Sequence, residues 1–225
     1  MSKPVDFIID FETLGNLPDG ALIDCAVVPF VNDPENVPSF QELVAAGKKV
    51  KFDLSEQKNL KLRHFDPSVI KWWKEQEEAA RINLKPGPDD VTLKEGLAQI
   101  HKHLRDAGVK QSSSHGWARG TAFDFSMYVT WIRNVTGNRE TFDDEVVRFW
   151  SQRDIRTAIE ENLGVRWMTE TPLPMGTLDG FVAHDSIHDC AKDILMLLFA
   201  KRYAYGLEDM PSPEDADPRS LKKKR

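Results

Sequence analysis

Near its start the sequence carries an apolar stretch of β-branched and aromatic residues, residues 5–13, VDFIIDFET, with two acids at its end. Such a run predicts a buried β-strand. Strand side chains alternate between faces, so Asp10 and Glu12 share one side. Two carboxylates at the edge of a core are costly unless a cation neutralises them, and oxygen ligands suit Mg²⁺ or Mn²⁺. Taken alone, the D-x-E pattern is also compatible with two solvated acids at a strand end.

Composition limits the possible classes of protein. The 225 residues are 40% hydrophobic and 29% charged, which is typical of a single globular domain with a substantial core. No stretch is apolar enough to span a membrane, and the first residues do not resemble a signal peptide. Cys25 and Cys190 lie in apolar surroundings without metal-site spacing and indicate reduced core thiols. We therefore expect a cytoplasmic protein that does not contact membranes. The net charge of −6 does not indicate a broad nucleic-acid-binding surface.

The order of predicted elements indicates an α/β fold. Three strands open the chain as an antiparallel meander, and two further strands alternate with helices before a long apolar helix closes the domain. This order predicts a mixed five-stranded sheet flanked by helices. The predicted strands are residues 5–13, 21–30, 47–54, 112–117 and 146–150. The predicted main helices begin after the caps Asp66 and Thr92, cover 123–135, carry Ile155, Ile159 and Leu163, and cover 186–205.

The end of the chain differs in composition from the rest. Residues 207–218 are acidic and rich in proline, and residues 222–225 form a basic run. Such composition predicts a mobile tail of residues 207–225 after a domain of residues 1–206. The basic run has two interpretations, a solvated end or a weak handle for nucleic acid.

Two further stretches place acids at the ends of core elements. Asp124 follows Phe123 at the start of a predicted helix, where capping the helix would be a sufficient structural role. His184 precedes Asp189 by five residues, and Asp189 lies on an otherwise apolar helix face where a lone acid needs a partner. Asp185 is the strongest rival to Asp189 for any role in a site.

Together the three stretches resemble the motifs of the DEDDh branch of DnaQ-like 3′–5′ exonucleases. The first motif, D-x-E followed by Thr, corresponds to residues 10–13, and the second, an F-D pair, to residues 123–124. The third motif, His followed after four residues by Asp, corresponds to His184 and Asp189. Residues 176–195 further resemble phage members of this family. Many members carry Asn four residues before the second-motif Asp. Here that position is Gly120, and Arg119 is a candidate to replace its hydrogen bonds.

The resemblance implies an RNase H-like fold and a metal-dependent exonuclease, acting in the host cytoplasm if the chain is phage-encoded. It implies hydrolysis of single-stranded DNA from the 3′ end to nucleoside 5′-monophosphates, with His184 as general base. Thr13 and Leu14 are expected to contact the terminal nucleotide. Four carboxylates are expected to hold two divalent cations, Mg²⁺ with Mn²⁺ as a substitute, and to be catalytic together with His184. They are Asp10, Glu12, Asp124 and Asp189.

Two alternatives remain open from the sequence. The same chemistry could act on RNA, because the family divides between the two polymers. A non-catalytic module on the same fold, binding nucleic acid or protein, would be favoured by loss of a motif residue, and none is lost. Three tryptophans are candidates either for base stacking or for core packing. They are Trp72, Trp73 and Trp117.

Overall fold

The computed structural model describes residues 3–76 and 78–221 and contains one mixed five-stranded sheet. The strands are β1 (Val5–Thr13), β2 (Leu22–Val31), β3 (Lys48–Lys51), β4 (Gly116–Ala118) and β5 (Gln152–Asp154). The helices are α1 (Phe40–Ala46), α2 (Leu54–Asn59), α3 (Pro67–Lys74), α4 (Glu78–Arg81), α5 (Leu93–Asp106), α6 (Thr121–Thr136), α7 (Ile155–Leu163) and α8 (Ser186–Ala204). Within these residues no helix combines the length and apolarity that crossing a membrane would require.

β1 is the central strand, in the order β3-β2-β1-β4-β5. It pairs antiparallel with β2 and parallel with β4, while β3 and β5 form the two edges. The antiparallel meander followed by parallel strands is the predicted arrangement, and the predicted α/β fold with flanking helices is confirmed.

The alternation of β1 divides the core into two halves. Phe7, Ile9 and Phe11 pack into a cluster that contains side chains of α5 and α6. Ile8 packs into a second cluster, built largely from α7 and α8. Since side chains two apart share a face, Asp10 and Glu12 emerge on the α8 side of the sheet.

The predicted fifth strand at residues 146–150 is wrong. Val147 is buried, but Phe149–Ser151 form a 3₁₀ turn, and the strand follows at Gln152–Asp154. This short edge strand is made of polar residues, and it is held by its parallel backbone pairing with β4. The apolar pattern therefore identified a segment that contributes to the core, such as Val147. The position of β5 is determined instead by its backbone pairing with β4, which is distant in sequence.

The structure also differs from the expected mobile tail. Asp217 and Ser220 are fully buried, and Ala216 bridges to Pro174. The Asp217 N–H donates to the Leu173 carbonyl, and its carboxylate accepts from the Leu178 N–H. Residues 216–220 thus form a clasp, named here the C-terminal clasp, on the loop that leads towards α8. The extent of the exonuclease domain as residues 1–206 remains a prediction, and the basic run 222–225 lies outside the described residues.

Candidate active site

The first two acids lie at the end of the central strand. Asp10 and Glu12 leave β1 towards α8, and the register against β2 shifts directly after Glu12. Both acids are only partly exposed. The strand end therefore presents two carboxylates at the margin of the core, as the D-x-E spacing predicts, and not in open solvent.

Asp124 is brought to these acids by the start of α6. The helix begins after Gly120, whose φ of +110° a residue with a side chain would adopt only under strain. Asp124 lies in the first turn and is 3% exposed. Its Oδ1 accepts a hydrogen bond from the Phe11 N–H at 3.3 Å, between the two acids of β1. The N-cap of α6 is Gly120, and no side chain caps the helix. Capping, the alternative structural role considered for Asp124 from the sequence, is therefore not its role here.

The third motif is organised by the start of α8. His184 adopts φ of +60°, an unusual conformation for a non-glycine residue, and its N–H donates to Asp189 Oδ2 at 3.0 Å. His184 Nδ1 lies 3.9 Å from Glu12 Oε1. Ligand atoms of Glu12, His184 and Asp189 all lie within 4.8 Å of one another. The first and third motifs therefore meet in space, as predicted.

The rival Asp185 has a structural role. Its side chain caps α8 by accepting from the Ile187 N–H, and its Oδ2 forms an ion pair of 2.6 Å with Lys49. The helix cap and the ion pair are sufficient to explain why an acid stands at position 185. Asp189, in the next turn, is the acid that faces the cluster.

Burial and mutual repulsion raise the pKa values of the clustered acids. Burial is the largest cause in every case. It raises the pKa of Asp124 to about 8 and that of Asp189 to about 7, and nearby Asp193 adds to both shifts. The pKa values of Asp10 and Glu12 are raised well above normal by burial and then by neighbouring carboxylates. The group of acids consequently resists full ionisation, which is the condition that a bound divalent cation relieves.

The donor set fits such a cation. It consists of carboxylate oxygens with one imidazole nearby, and hard oxygen ligands suit Mg²⁺ and Mn²⁺. Two nearby cationic side chains favour the ionised form of these acids. Lys192 lowers the pKa of Asp189 and Arg156 that of Asp124, but neither offsets the rise caused by burial.

A fifth acid, Asp193, lies beside the cluster; as an acid flanking the third motif it is expected from the sequence to have a structural or solvated role, but its partner is not indicated there. Asp193 is buried one turn after Asp189, and its Oδ1 accepts from Arg119 Nε at 2.7 Å. Arg119 also donates to the Thr169 carbonyl at 3.1 Å. The i, i+4 spacing from Asp189 was an available signal, but the arginine partner lies 74 residues away in sequence.

The Arg119 side chain is directed to Asp193 and the Thr169 carbonyl, so its replacement of the family's Asn remains a prediction. The backbone N–H groups of Gly120 and Thr121 instead donate to Asp154 Oδ2, at 2.9 and 3.2 Å. Asp154 also caps α7, where its side chain accepts from the Thr157 N–H. One carboxylate thus secures the start of α6, which carries Asp124.

Thr13 and Leu14 lie beside the cluster but are engaged by the fold. Thr13 Oγ1 donates to the Gly15 carbonyl, and the Thr13 carbonyl accepts from Trp73 Nε1 at 2.8 Å. Leu14 is 8% exposed and packs in a small core cluster with Trp73 and Ile23. Contact of these two residues with a nucleotide remains a prediction, and only a small part of the Leu14 side chain is exposed to make it.

The three tryptophans divide between the two roles left open. Trp73 and Trp117 are buried, and their indole N–H groups donate to Thr13 and Asp6. Trp72 is 42% exposed, and its ring meets that of His184 edge to face at 5.2 Å between centroids. Trp72 is therefore the tryptophan of α3 that borders the cluster from the solvent side.

Comparisons with known proteins agree with this geometry. A family model described as a 3′-5′ exoribonuclease Rv2179c-like domain matches residues 5–197. The exodeoxyribonuclease of Enterobacteria phage T4 is 51% identical over 227 residues, covering 98% of this chain and 99% of that protein. The resemblance to DnaQ-like exonucleases and their phage members is thereby confirmed.

Solved structures show the same fold at low identity. Cell-death related nuclease 4 aligns with a TM-score of 0.54 at 11% identity, over 91% of this chain and 65% of that one. E. coli exonuclease I, solved in complex with single-stranded DNA, aligns with a TM-score of 0.54 at 10% identity. That alignment covers 89% of this chain but 41% of exonuclease I, so the chain corresponds to less than half of that enzyme. The RNase H-like fold predicted from the motifs is confirmed, and the chain belongs to the family of Rv2179c-like 3′–5′ exoribonuclease domains.

Proposed function

We propose that this protein is a metal-dependent 3′–5′ exonuclease that hydrolyses single-stranded DNA to nucleoside 5′-monophosphates. The observation that carries the proposal is the meeting of Glu12, His184 and Asp189 within 4.8 Å, beside acids whose pKa values burial has raised. A cluster of this kind is costly to the fold, so its presence points to a function. We place the activity in the cytoplasm, that of the host cell if the chain is phage-encoded.

Four carboxylates would hold the cations, Mg²⁺ or in its place Mn²⁺. Bound divalent cations would stabilise charge on the attacking and leaving oxygens of an in-line displacement. The chain's own contribution is to fix the carboxylates on three elements that the core holds rigidly, β1, α6 and α8. The carboxylates are Asp10, Glu12, Asp124 and Asp189.

His184 would act as the general base. Its ring is partly exposed, so water can reach it, and an imidazole nitrogen is the side-chain group most often used as a general base. A ring nitrogen accepts a proton from water as the water oxygen attacks phosphorus. The bond between phosphorus and the 3′ oxygen of the preceding nucleotide breaks as the new bond forms. The nucleoside 5′-monophosphate is released, and the 3′ oxygen of the shortened strand takes up a proton from water to become a hydroxyl. The backbone hydrogen bond to Asp189 and the contact with Trp72 hold the ring at the cluster.

The terminal nucleotide would bind where α3 meets the end of β1. Trp72 offers an exposed aromatic ring, and Lys71 and Lys74 flank it on the exposed part of α3. Aromatic rings interleaved with cations are typical of single-strand binding sites. Thr13 would contribute backbone contacts, and Leu14 would contact the base with the small exposed part of its side chain.

RNA is the second candidate substrate, and an observation favours each polymer. The relative that is 51% identical over nearly its whole length is named an exodeoxyribonuclease, whereas the matching family model is described as an exoribonuclease domain. We favour DNA because the full-length relative is the more specific comparison.

The test uses 5′-labelled single-stranded DNA and an RNA of matching sequence, each with Mg²⁺, Mn²⁺ or EDTA. We expect a ladder that shortens from the 3′ end in the presence of metal, with faster shortening of DNA. Asp124→Asn should be inactive, and Asp143→Asn, which alters a carboxylate that is 92% exposed, should retain wild-type activity. Faster cleavage of RNA would reverse the substrate assignment. Absence of cleavage in every condition would favour a non-catalytic binding module.

A further inference from the structure

One exposed arginine lies beside the start of α6, the helix that carries Asp124. Arg156 belongs to the first turn of α7, and its Nη1 donates to the Arg119 carbonyl at 3.0 Å. The same nitrogen lies 3.0 Å from the point where a side chain at residue 120 would begin, so Gly120 leaves the room that the guanidinium occupies. The guanidinium is therefore seated against the backbone from which α6 starts.

The position of this guanidinium is continuous with the carboxylate cluster. Gly120 is the N-cap of α6, and its carbonyl accepts from the Asp124 N–H at 3.4 Å. One helical turn, about 5.4 Å, thus separates the backbone under the guanidinium from the proposed metal ligand of α6. Arg156 also lowers the pKa of Asp124, although burial keeps that pKa raised. Arg156 therefore lies at the rim of the cluster.

The backbone that carries Arg156 is fixed against α6 by one acid. Asp154 accepts from the N–H groups of Gly120 and Thr121 through Oδ2, and from the Thr157 N–H through Oδ1. It therefore ties the first turns of α6 and α7 together. An arginine that starts from an ordered support loses less conformational freedom when it binds a ligand.

The positive charge of Arg156 is not used by the fold. Among the residues that the structure describes, Arg156 forms no ion pair, and this includes Glu160 one turn further along α7. Arg119, in contrast, is paired with Asp193 at 2.7 Å. A guanidinium has five N–H donors, and the Arg119 carbonyl accepts one of them. The other donors form the planar fork that suits the oxygens of a phosphate group.

The carboxylate cluster by itself repels the phosphates of a strand. Burial, and then the charges of neighbouring carboxylates, raise the pKa values of Asp10 and Glu12, and the net charge of the chain is −6. Bound divalent cations would neutralise the acids that hold them. An arginine at the rim supplies positive charge where the strand passes beyond those cations, and a local charge of this kind raises the affinity for a polyanion.

We propose that Arg156 binds a phosphate of the single strand directly beside the carboxylate cluster. The guanidinium keeps its hydrogen bond to the Arg119 carbonyl and donates other N–H groups to the non-bridging oxygens of one linkage close to the 3′ end. Such a contact positions the strand and does not read its bases. This inference rests on the proposed exonuclease function and adds a residue that lies outside the three motifs.

The first test measures binding of a 5′-labelled single-stranded DNA of twenty nucleotides in EDTA, so that cleavage does not interfere. For Arg156→Gln we expect Kd to rise about tenfold at low salt, because a charge-assisted contact is lost. The slope of log Kd against log salt concentration should fall by about 0.7, the value for one phosphate contact on a single strand. Arg156→Lys should keep the wild-type slope and recover only part of the affinity. With saturating Mg²⁺, KM should rise by a similar factor and kcat should change less.

The second test removes the charge from the strand instead of the protein. Single methylphosphonate linkages, which are uncharged, are placed in turn at the three linkages nearest the 3′ end. One of them should weaken binding to the wild type as much as Arg156→Gln does. The variant should bind that strand and the unmodified strand with Kd values within about twofold of each other, because the arginine and the phosphate act as a pair. Losses that multiply independently at all three linkages would overturn the proposal.

The matched control is Arg139→Gln, which removes the same charge beyond the opposite end of α6 from Asp124. It should change neither Kd nor its salt dependence, and an equal loss in both variants would attribute the effect to net charge and overturn the inference. A wild-type protein that cleaves neither DNA nor RNA with Mg²⁺ or Mn²⁺ contradicts the proposed function. An active wild type whose Arg156→Gln variant keeps the wild-type Kd and salt slope overturns this inference alone.

Discussion

Asp124 and Asp217 are both almost completely buried carboxylates, but their surroundings shift their pKa values in opposite directions. Burial would raise the pKa of Asp217, yet hydrogen bonds from the Arg219 side chain and the Leu178 N–H outweigh it and lower that pKa. Burial raises the pKa of Asp124 to about 8, and the hydrogen bond from the Phe11 N–H does not compensate.

This difference contrasts an acid held by its own hydrogen-bond donors with an acid of the proposed metal site. Asp217 belongs to the C-terminal clasp, where its donors surround it and the charge stabilises the fold. Asp124 sits among acids that repel it, so its charge destabilises the metal-free fold. Burial alone does not distinguish them; the difference lies in the hydrogen-bond donors that surround Asp217 and the carboxylates that surround Asp124.

The largest expected effect is the loss of activity in Asp124→Asn. Replacing a residue that supports a metal ligand costs 10–100-fold in general, so we expect at least about a 100-fold loss of kcat for a ligand itself. The same change removes a repelled charge, and thermal unfolding in EDTA should therefore occur at a higher temperature than in wild type. An Asp124→Asn protein with wild-type turnover would contradict the assignment of the site.

Asp217→Asn should have the opposite effect on stability. The neutral amide has a single acceptor oxygen and cannot replace the charged carboxylate in its hydrogen bonds with Arg219 and the Leu178 N–H. We therefore expect a loss of about 2–3 kcal/mol in the free energy of unfolding. Urea denaturation in EDTA would measure it, with Asp215→Asn on the exposed part of the same segment as control. If Asp217→Asn and Asp124→Asn shift stability in the same direction, the comparison fails.

The metal-free protein should lose stability as pH rises. Asp124 and Asp189 have pKa values of about 8 and about 7 in the folded state, above their value of 3.8 elsewhere. The folded state therefore binds more protons than the unfolded state between these limits, and stability falls as pH increases through them. Together the two groups would lower the free energy of unfolding by roughly 3–4 kcal/mol between pH 6 and pH 8 in EDTA.

Saturating Mg²⁺ should flatten this dependence, because the cation replaces the protons. Asp217 has a lowered pKa, so its contribution is complete above about pH 5 and is lost as pH falls below that value. Equal slopes with and without Mg²⁺ would show that the clustered acids do not bind the cation.

The smallest expected effect is on Trp72→Ala. Loss of one stacking ring should raise KM for single-stranded DNA by up to about tenfold, with kcat changed less. Trp72→Phe should restore most of the affinity. Tyr205→Ala, which removes an exposed ring at the C-terminal end of α8, serves as the control. A change confined to kcat would instead indicate that Trp72 acts by positioning the His184 ring.

What could be predicted from the sequence was local. The alternation in β1 identified Asp10 and Glu12, because the strand's own periodicity decides which side chains share a face. The capping box of Thr92 and Glu95 likewise identified the start of α5. The resemblance to the family's motifs supplied the remaining candidate site residues, since each motif lies at the end of an element that could be recognised by itself.

What the sequence analysis missed depends on partners distant in the chain. Arg119 and Asp193 are separated by 74 residues, and nothing in either neighbourhood indicates the other. The C-terminal clasp resembled a tail because its composition is acidic and rich in proline, yet it is docked by the bridge from Ala216 to Pro174 and by the hydrogen bonds of Asp217 to Leu173 and Leu178. β5 was misplaced for the same reason, since its pairing with β4 and not its own pattern defines it.

The alternation of β1 also protects the folding of the domain against error. A slip of one residue in the pairing with β2 would turn Asp10 and Glu12 towards the apolar cluster under α5 and α6, and Phe7, Ile9 and Phe11 away from it. Burying two carboxylates in that cluster without partners would cost several kcal/mol. A chain with the wrong register is therefore too unstable to accumulate. The two acids thus help to select the correct pairing of β1 with β2 during folding, independently of any substrate.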